Sequence, residues 1–260
     1  AKSVLKEISE EITDKGLPKE LCPFVVGFTG YGNVSKGAQE IFDILPHEEI
    51  TPKQLLDLDI NRCSNKKLYK VIFKEEHLAE RTDGSRFILQ EYYDHPEKFN
   101  GVFEKFIPKL TVMMNCVFWT EKYPRLVTKD YLSKNYNNNF KLFAIGDIAC
   151  DVHGSVECTE MGTHIDDPIY VYDTDKRSVT MGHEGKGLLM MTVDILPSEL
   201  PRESSEFFSK ALCPFIEDIA KCDFSKPFSE INLPSPTKRA LILLNGEFTP
   251  DYRYIEQYLK

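Results

Sequence analysis

Residues 24–38 read FVVGFTGYGNVSKGA, an apolar run that stops on glycine and passes directly into the helix-like AQEIFDI. This order of strand, glycine turn and helix suits the pyrophosphate of a dinucleotide. Gly30 permits the tight turn, Gly32 lets the backbone approach the phosphates, and a helix starting near Val34 directs its free N–H groups at them without any charged side chain. Ser35 stands where a third glycine is usual, and it is small enough to keep helix and strand close. Gly37 and Ala38 extend the same small-residue face. A second pair, Gly185 and Gly187, precedes the strand-like LLMMTVDIL instead of following a strand into a helix, and reads as a turn.

In a doubly wound sheet a ligand lies across the carboxyl ends of the strands, so the first polar residues after each apolar run are the next candidates. Asn115, Trp119 and Arg125 follow VMMNCVF; Asp147 and Asp151 follow FAIGDI; Asp194 follows MMTVDIL. Asn115 suits a hydrogen bond to ribose or carboxamide, Asp151 the nicotinamide side and Asp194 the substrate, while Asp147 is grouped with the cofactor contacts by its strand-end position. Their alternative role is to cap helices or close turns. Trp119 fits the core as well as a cofactor-facing wall. His153, His164 and His183, with Asp166 and Asp167, lack ligand spacing such as i and i+4 on a helix, so no metal is expected. An acid about 20 residues beyond the glycine turn would hold the adenosine ribose. Glu48 and Glu49, just before Ile50-Thr51-Pro52, are not cleanly placed for it, and on these grounds NAD and NADP stay open.

The elements that must position these residues read as α/β. Strand-like runs recur at KLYKVIF, LTVMMNCVF, FKLFAIGDI, PIYVYD and LLMMTVDIL, separated by helical or irregular crossovers, which predicts a Rossmann-like doubly wound parallel sheet. YDTDKRSV reads as a hairpin turn, and residues 81–100 as mixed helix and loop. Residues 3–15 carry Val4, Leu5, Ile8 and Ile12 on one stripe and end at Gly16 and Pro18. We assign residues 1–20 to a connector helix, 21–198 to the nucleotide-binding domain, and 199–260 to a return helix and C-terminal segment. That return helix, at 201–222, places Phe207, Phe208, Ala211, Leu212, Phe215, Ile216 and Ile219 at helical spacing, with a kink expected at Pro214. RALILL is a further strand candidate.

A chain of 260 residues, 42% hydrophobic, has material for one large or two modest cores. Its formal charge of −9 and scattered Lys and Arg argue against a nucleic-acid partner. No apolar run approaches the roughly 20 residues of a membrane span, and AKSVLKEISEEI does not read as a signal peptide, so a soluble protein is expected. Seven cysteines without a C-x-x-C pair point to reduced thiols and a reducing compartment, cytoplasm or mitochondrial matrix.

GFTGYGNVSKGAQEIFDILP, NCVFWTEKYPRLVT, IGDIACDVHGSVECT and DILPSELPRESSEFF, in this order, closely resemble the lysine-ketoglutarate reductase half of the bifunctional aminoadipic semialdehyde synthases. More distantly they are similar to lysine-forming saccharopine dehydrogenases and alanine dehydrogenases. The resemblance implies a reaction: the ε-amine of lysine condenses with the keto group of 2-oxoglutarate, and the imine takes hydride from a reduced nicotinamide to give saccharopine. It implies NADPH as the donor, with NADH as the alternative. By motif position Gly30, Gly32, Asn33 and Val34 match the pyrophosphate turn, and Asn115 the position near the nicotinamide ribose. Asp151 matches an acid facing the reaction centre, and Asp194 a second acid of the lysine-forming group. In that family a substrate domain carrying the acid–base groups precedes the nucleotide domain, and a dehydrogenase half follows it. Here a connector helix stands first, so the chain is expected to bind cofactor yet catalyse poorly by itself, and its exposed apolar helix faces to favour a homo-oligomer. A stand-alone nucleotide-binding or regulatory module is the alternative reading. A reductase for another amino acid, such as alanine, is disfavoured by the LPRESSEFF block.

Overall fold

The computed structural model describes residues 2–136 and 140–259. The chain forms two compact units, residues 1–194 and 195–260. The first is built on an eight-stranded sheet. Its strands are β1 (Val25–Thr29), β2 (His47–Glu49), β3 (Leu68–Phe73), β6 (Val112–Asn115), β7 (Ala144–Asp147), β8 (Ile169–Asp173), β9 (Ser178–Met181) and β10 (Leu188–Met191), while β4 (Ala79–Arg81) and β5 (Phe99–Gly101) form a separate antiparallel pair. The spatial order is β2-β3-β1-β6-β7-β10-β8-β9. From β2 to β10 every neighbour is parallel. The hairpin β8–β9 then joins antiparallel at the far edge, closed by the YDTDKRSV turn. The doubly wound sheet expected from the sequence is therefore present, and its wholly parallel character is corrected at that edge, where a hairpin too short for a crossover helix can pair only antiparallel.

Burial on both faces explains the near-continuous apolar strands. One face packs Val25, Val71, Phe73, Met113 and Ile145 against Phe103, Phe106, Ile107 and Leu110. The other packs Val26, Phe28 and Leu68 against Ile12 and Phe42. Ile12 comes from helix α1 (Lys2–Lys15) and Phe42 from α2 (Asn33–Phe42), so the leading helix belongs to this unit and covers its sheet. Of the apolar stripe on α1, Ile12 alone is buried, and Val4 and Ile8 stay exposed. Lys70, mid-strand in β3, is 4% exposed; its ammonium meets Asp43 Oδ1 at 2.8 Å and Glu49 Oε2 at 3.1 Å, which is how a charge is tolerated there.

Short helices α3 (Pro52–Leu56), α4 (Glu75–Leu78), α5 (Leu89–Asp94) and α6 (Lys129–Asn135) complete the crossovers. Thr51 starts α3 with a capping box to Gln54. The second unit holds α7 (Leu196–Glu199), α8 (Pro201–Lys221), α9 (Ser235–Arg239) and the two-residue strands β11 (Leu243–Leu244) and β12 (Glu247–Phe248). Pro214 lies inside α8, which continues helically to Lys221, so the proline does not end the helix. RALILL yields only β11: its first residue closes α9, and the turn Asn245-Gly246, both at positive φ, cuts the strand short.

Candidate functional site

The chain leaves β1 for β3 and β2 on one side and for β6 and β7 on the other, which opens a crevice where the carboxyl ends of β1 and β6 diverge. A cavity of about 830 Å³ lies there. Gly30, Tyr31, Gly32, Asn33 and Val34 from the glycine turn line it, with Cys116, Val117, Phe118 and Trp119 following β6, Ile148, Ala149 and Asp151 following β7, and Glu75, Leu78, Tyr92, Tyr93, Tyr123, Pro124 and Leu126 opposite.

The turn has the geometry that the sequence implied. Gly30 sits at φ +82°, and a Cβ there would lie 3.3 Å from the Cys116 carbonyl oxygen. Its N–H donates to Phe73 O at 2.8 Å, which ties the turn to the end of β3. Gly32 is the N-cap of α2, and a Cβ at Gly32 would meet nothing within 4 Å. Space is therefore open where a phosphate would approach. The first intrahelical bond runs from Lys36 N–H to Gly32 O at 3.0 Å, so the N–H groups of Asn33, Val34 and Ser35 precede the helical ladder and face outward along the dipole. Ser35 is fully buried, and its Oγ accepts from Gln39 Nε2 at 2.9 Å. A dinucleotide pyrophosphate fits this cradle: an open glycine, unpaired amides and a volume in the range of cofactor pockets.

Asn115 and Asp147 do not line the cavity. They close a polar ladder beneath it, in which Thr29, Asn115 and Asp147 are in register across β1, β6 and β7. Thr29 Oγ1 donates to Asn115 Oδ1 at 2.9 Å; Asn115 Nδ2 donates to Asp147 Oδ1 and to Ser155 Oγ, both at 2.8 Å. Thr159 Oγ1 donates to Asp147 Oδ2 at 2.5 Å. Asn115 is 0% and Asp147 1% exposed, so neither presents its side chain to a ligand in this arrangement. Burial pushes the Asp147 carboxyl above its usual range, opposed by the hydrogen bonds from Thr159 and Asn115.

Asp194 follows β10 and packs against Gly162, where an added Cβ would come within 3.2 Å of Asp194 Cβ. Its backbone N–H donates to Thr163 O at 3.2 Å, outside the cavity wall. Asp151 does line the cavity. The three aspartates surround Cys150, whose thiol donates to Asp147 O at 2.9 Å and is pushed up to about 12, by burial first and by Asp147, Asp194 and Asp151 after it. Burial likewise pushes the Cys116 thiol up to about 11. Both shifts favour the protonated thiol over the thiolate at neutral pH.

Trp119 is a wall residue. Its Nε1 donates to Tyr123 O at 3.1 Å and Pro124 O at 3.2 Å, and the Arg125 guanidinium lies 5.2 Å from its ring. Behind it Lys129 Nζ pairs with Glu160 Oε1 at 2.6 Å, and His153 Nε2 stands 3.6 Å from Glu160 Oε2. Among the described residues no group of three or more His, Cys, Asp or Glu is arranged to hold a metal ion, and no helix is long and apolar enough to cross a membrane.

Glu75 is the charged wall residue that sequence reasoning missed, along with the aromatic residues Tyr31, Tyr92, Tyr93, Phe118 and Tyr123. The signal for Glu75 was the end of KLYKVIF: β3, not β2, lies beside β1, so the acid following the neighbouring strand is Glu75 instead of Glu48 or Glu49. Glu48 and Glu49 are bonded instead to Lys67 and Lys70.

No family model matches the chain. It is 38% identical over 273 residues to an alpha-aminoadipic semialdehyde synthase of Arabidopsis thaliana, covering 100% of this chain and 25% of that protein. To the mitochondrial alpha-aminoadipic semialdehyde synthase of Bos taurus it is 33% identical, covering 99% of this chain and 29% of that one. A saccharopine dehydrogenase (NAD(+), L-lysine-forming) of Candida albicans matches 48% of the chain at 30% identity, over 30% of its own length. Among solved structures an L-alanine dehydrogenase aligns with all of this chain and 63% of its own at a TM-score of 0.47 and 13% identity. The chain thus spans between a quarter and a third of the length of these sequence relatives. Along its whole length it is a homologue of one region of the alpha-aminoadipic semialdehyde synthases.

Proposed function

We propose that the chain is the coenzyme-binding portion of a lysine-ketoglutarate reductase, which forms saccharopine from lysine and 2-oxoglutarate with NADPH, in a reducing compartment such as the mitochondrial matrix or cytoplasm. The observation that carries this reading is the turn Gly30–Val34 opening on the cavity, with room at Gly32 for phosphate and the amides of α2 aimed at it. The whole-length likeness to semialdehyde synthases supports the reaction. The bound nicotinamide would supply hydride. What the chain itself supplies is the grip on the pyrophosphate, an aromatic wall from Phe118, Trp119 and Tyr123, and the Asp151 carboxylate on the side of β7. Asp194, Asn115 and Asp147 take supporting positions around this wall in our reading.

Lysine must lose a proton before its amine attacks, and that transfer needs a group within hydrogen-bond reach. The described residues lining the cavity offer carboxylates and phenols but no lysine, histidine or arginine side chain. In this reading the chain by itself binds coenzyme and forms little saccharopine, because the carboxylates and phenols of the cavity are joined in a larger enzyme by acid–base groups from elsewhere. Calorimetric titration with NADPH and NADH, repeated on Gly32→Val, tests the reading. Binding by the parent chain and loss in the folded variant are expected. No binding of either coenzyme, or binding that the valine leaves intact, refutes it.

A further inference from the structure

Resting on the reading of the cavity as a coenzyme site, the strand order locates one determinant of coenzyme choice. In a doubly wound sheet the adenosine ribose lies beyond the carboxyl end of the strand next to the glycine strand. Here that strand is β3, and the bond from Gly30 N–H to Phe73 O, 2.8 Å, brings its last residue against the turn. The next two residues carry opposite charges: Lys74 and Glu75. A carboxylate at this place accepts from a ribose 2′-hydroxyl, whereas a cation accommodates a 2′-phosphate.

Their surroundings separate the two. Glu75 is half-buried in the cavity wall, and Tyr93 Oη donates to its Oε1 at 2.7 Å. The Tyr31 phenol also lies within its field and is held above its usual range, chiefly by the Glu75 charge. Lys74 is exposed, and its ammonium stands 5.8 Å from the centre of the Tyr31 ring. Tyr31 is the residue between the two turn glycines, so this cation stands beside the turn, on the rim outside the cavity lining.

We infer that Lys74 is the 2′-phosphate-binding residue of the coenzyme site, and that Glu75, positioned by Tyr93, is not the ribose ligand. The site then favours NADPH over NADH through one cation on the rim. Removing it costs the phosphorylated coenzyme about one charge-assisted hydrogen bond, about tenfold in affinity, and leaves the other coenzyme nearly unchanged.

The test is a set of calorimetric titrations of this chain with NADPH, NADH and adenosine 2′,5′-bisphosphate, on the parent, Lys74→Ala and Glu75→Gln. Lys74 is exposed, so its variant folds, and a circular dichroism spectrum checks this. Lys74→Ala is expected to weaken NADPH and the bisphosphate about tenfold while NADH shifts less than about twofold. Glu75→Gln is expected to leave NADH within about twofold. Equal weakening of both coenzymes by Lys74→Ala, or none, overturns the inference while the nucleotide site stands. Loss of NADH with Glu75→Gln also overturns it, because the carboxylate would then be the ribose ligand. Failure of the parent chain to bind any of the three removes the underlying site and the inference with it.

Discussion

The ladder Thr29–Asn115–Asp147 makes a quantitative claim, because it joins three parallel strands at the ends that bear the cavity. Asn115→Ala deletes an amide that is 0% exposed and satisfies three partners. Thr29 loses an acceptor, Ser155 a donor, and the buried Asp147 carboxyl one of its donors. A buried polar group left unpaired costs about 1–3 kcal/mol, more where a charge is involved, and water reaching part of the space offsets some of it, so we expect about 4 kcal/mol. For a unit of this size that corresponds to a fall of about 10 °C in melting temperature. Asn115→Asp has a different fault, since it sets two carboxylates at a contact of 2.8 Å and forces one to take up a proton. Combining Asn115→Asp with Asp147→Asn restores the pair in reverse. The amide introduced on β7 would donate to the carboxylate introduced on β6 and accept from Thr159, while the Thr29 and Ser155 hydroxyls would donate to that carboxylate. The double variant is therefore expected to recover more than half of what the single Asn115→Asp loses. Urea denaturation followed by circular dichroism measures all three. A cost under about 1 kcal/mol for Asn115→Ala, or a double variant no better than Asn115→Asp, would show that the ladder does not hold the strand ends.

The second glycine of each pair should respond differently to alanine: Gly187, at φ +148°, would put a Cβ 2.1 Å from Tyr172 O, and Gly187→Ala is expected to cost about 3 kcal/mol or more, whereas Gly32→Ala, with open space around it, should cost under about 1 kcal/mol in the same urea assay. Similar losses at both positions would contradict the geometry. Asp147 gives a pH signature with a definite sign. Its folded pKa lies above the unfolded one, so its contribution is complete below the unfolded value and is lost as pH rises through the folded value. As pH rises above the unfolded carboxylate value of about 4, the parent should therefore lose stability relative to Asp147→Asn, and a relative gain in urea midpoint would reverse the assignment. Trp119 is the only tryptophan and lines the cavity, so reduced coenzyme should quench its emission saturably, with an affinity that matches calorimetry. Unchanged emission during calorimetrically observed binding would place the coenzyme away from that wall.

The glycine turn was legible in the sequence because three local signals coincide there: FVVGFT is apolar enough for a doubly buried strand, Gly30 and Gly32 follow at once, and AQEIFDI continues as a helix. Nothing distant has to be known. The ribose side was illegible for the opposite reason. Chain order makes the short HEE strand second, yet the longer LYKVIF inserts between it and β1, and only hydrogen-bond partners reveal that Lys74 and Glu75, not Glu48 and Glu49, flank the turn. Asn115 and Asp147 fall between these cases. Both were correctly read as polar residues ending apolar strands, but strand-end position does not say which way a side chain points. Strand parity does: Asn115 lies two residues from Met113, Asp147 two from Ile145 and Thr29 four from Val25, and all three apolar residues belong to one core face. Period two therefore turns the polar residues toward that core, where they must find one another because water does not reach them. A ligand contact at these strand ends is accordingly better sought among the residues that follow them, Cys116 to Trp119 and Ile148 to Asp151, where the chain has left the sheet and its side chains are free to face the crevice.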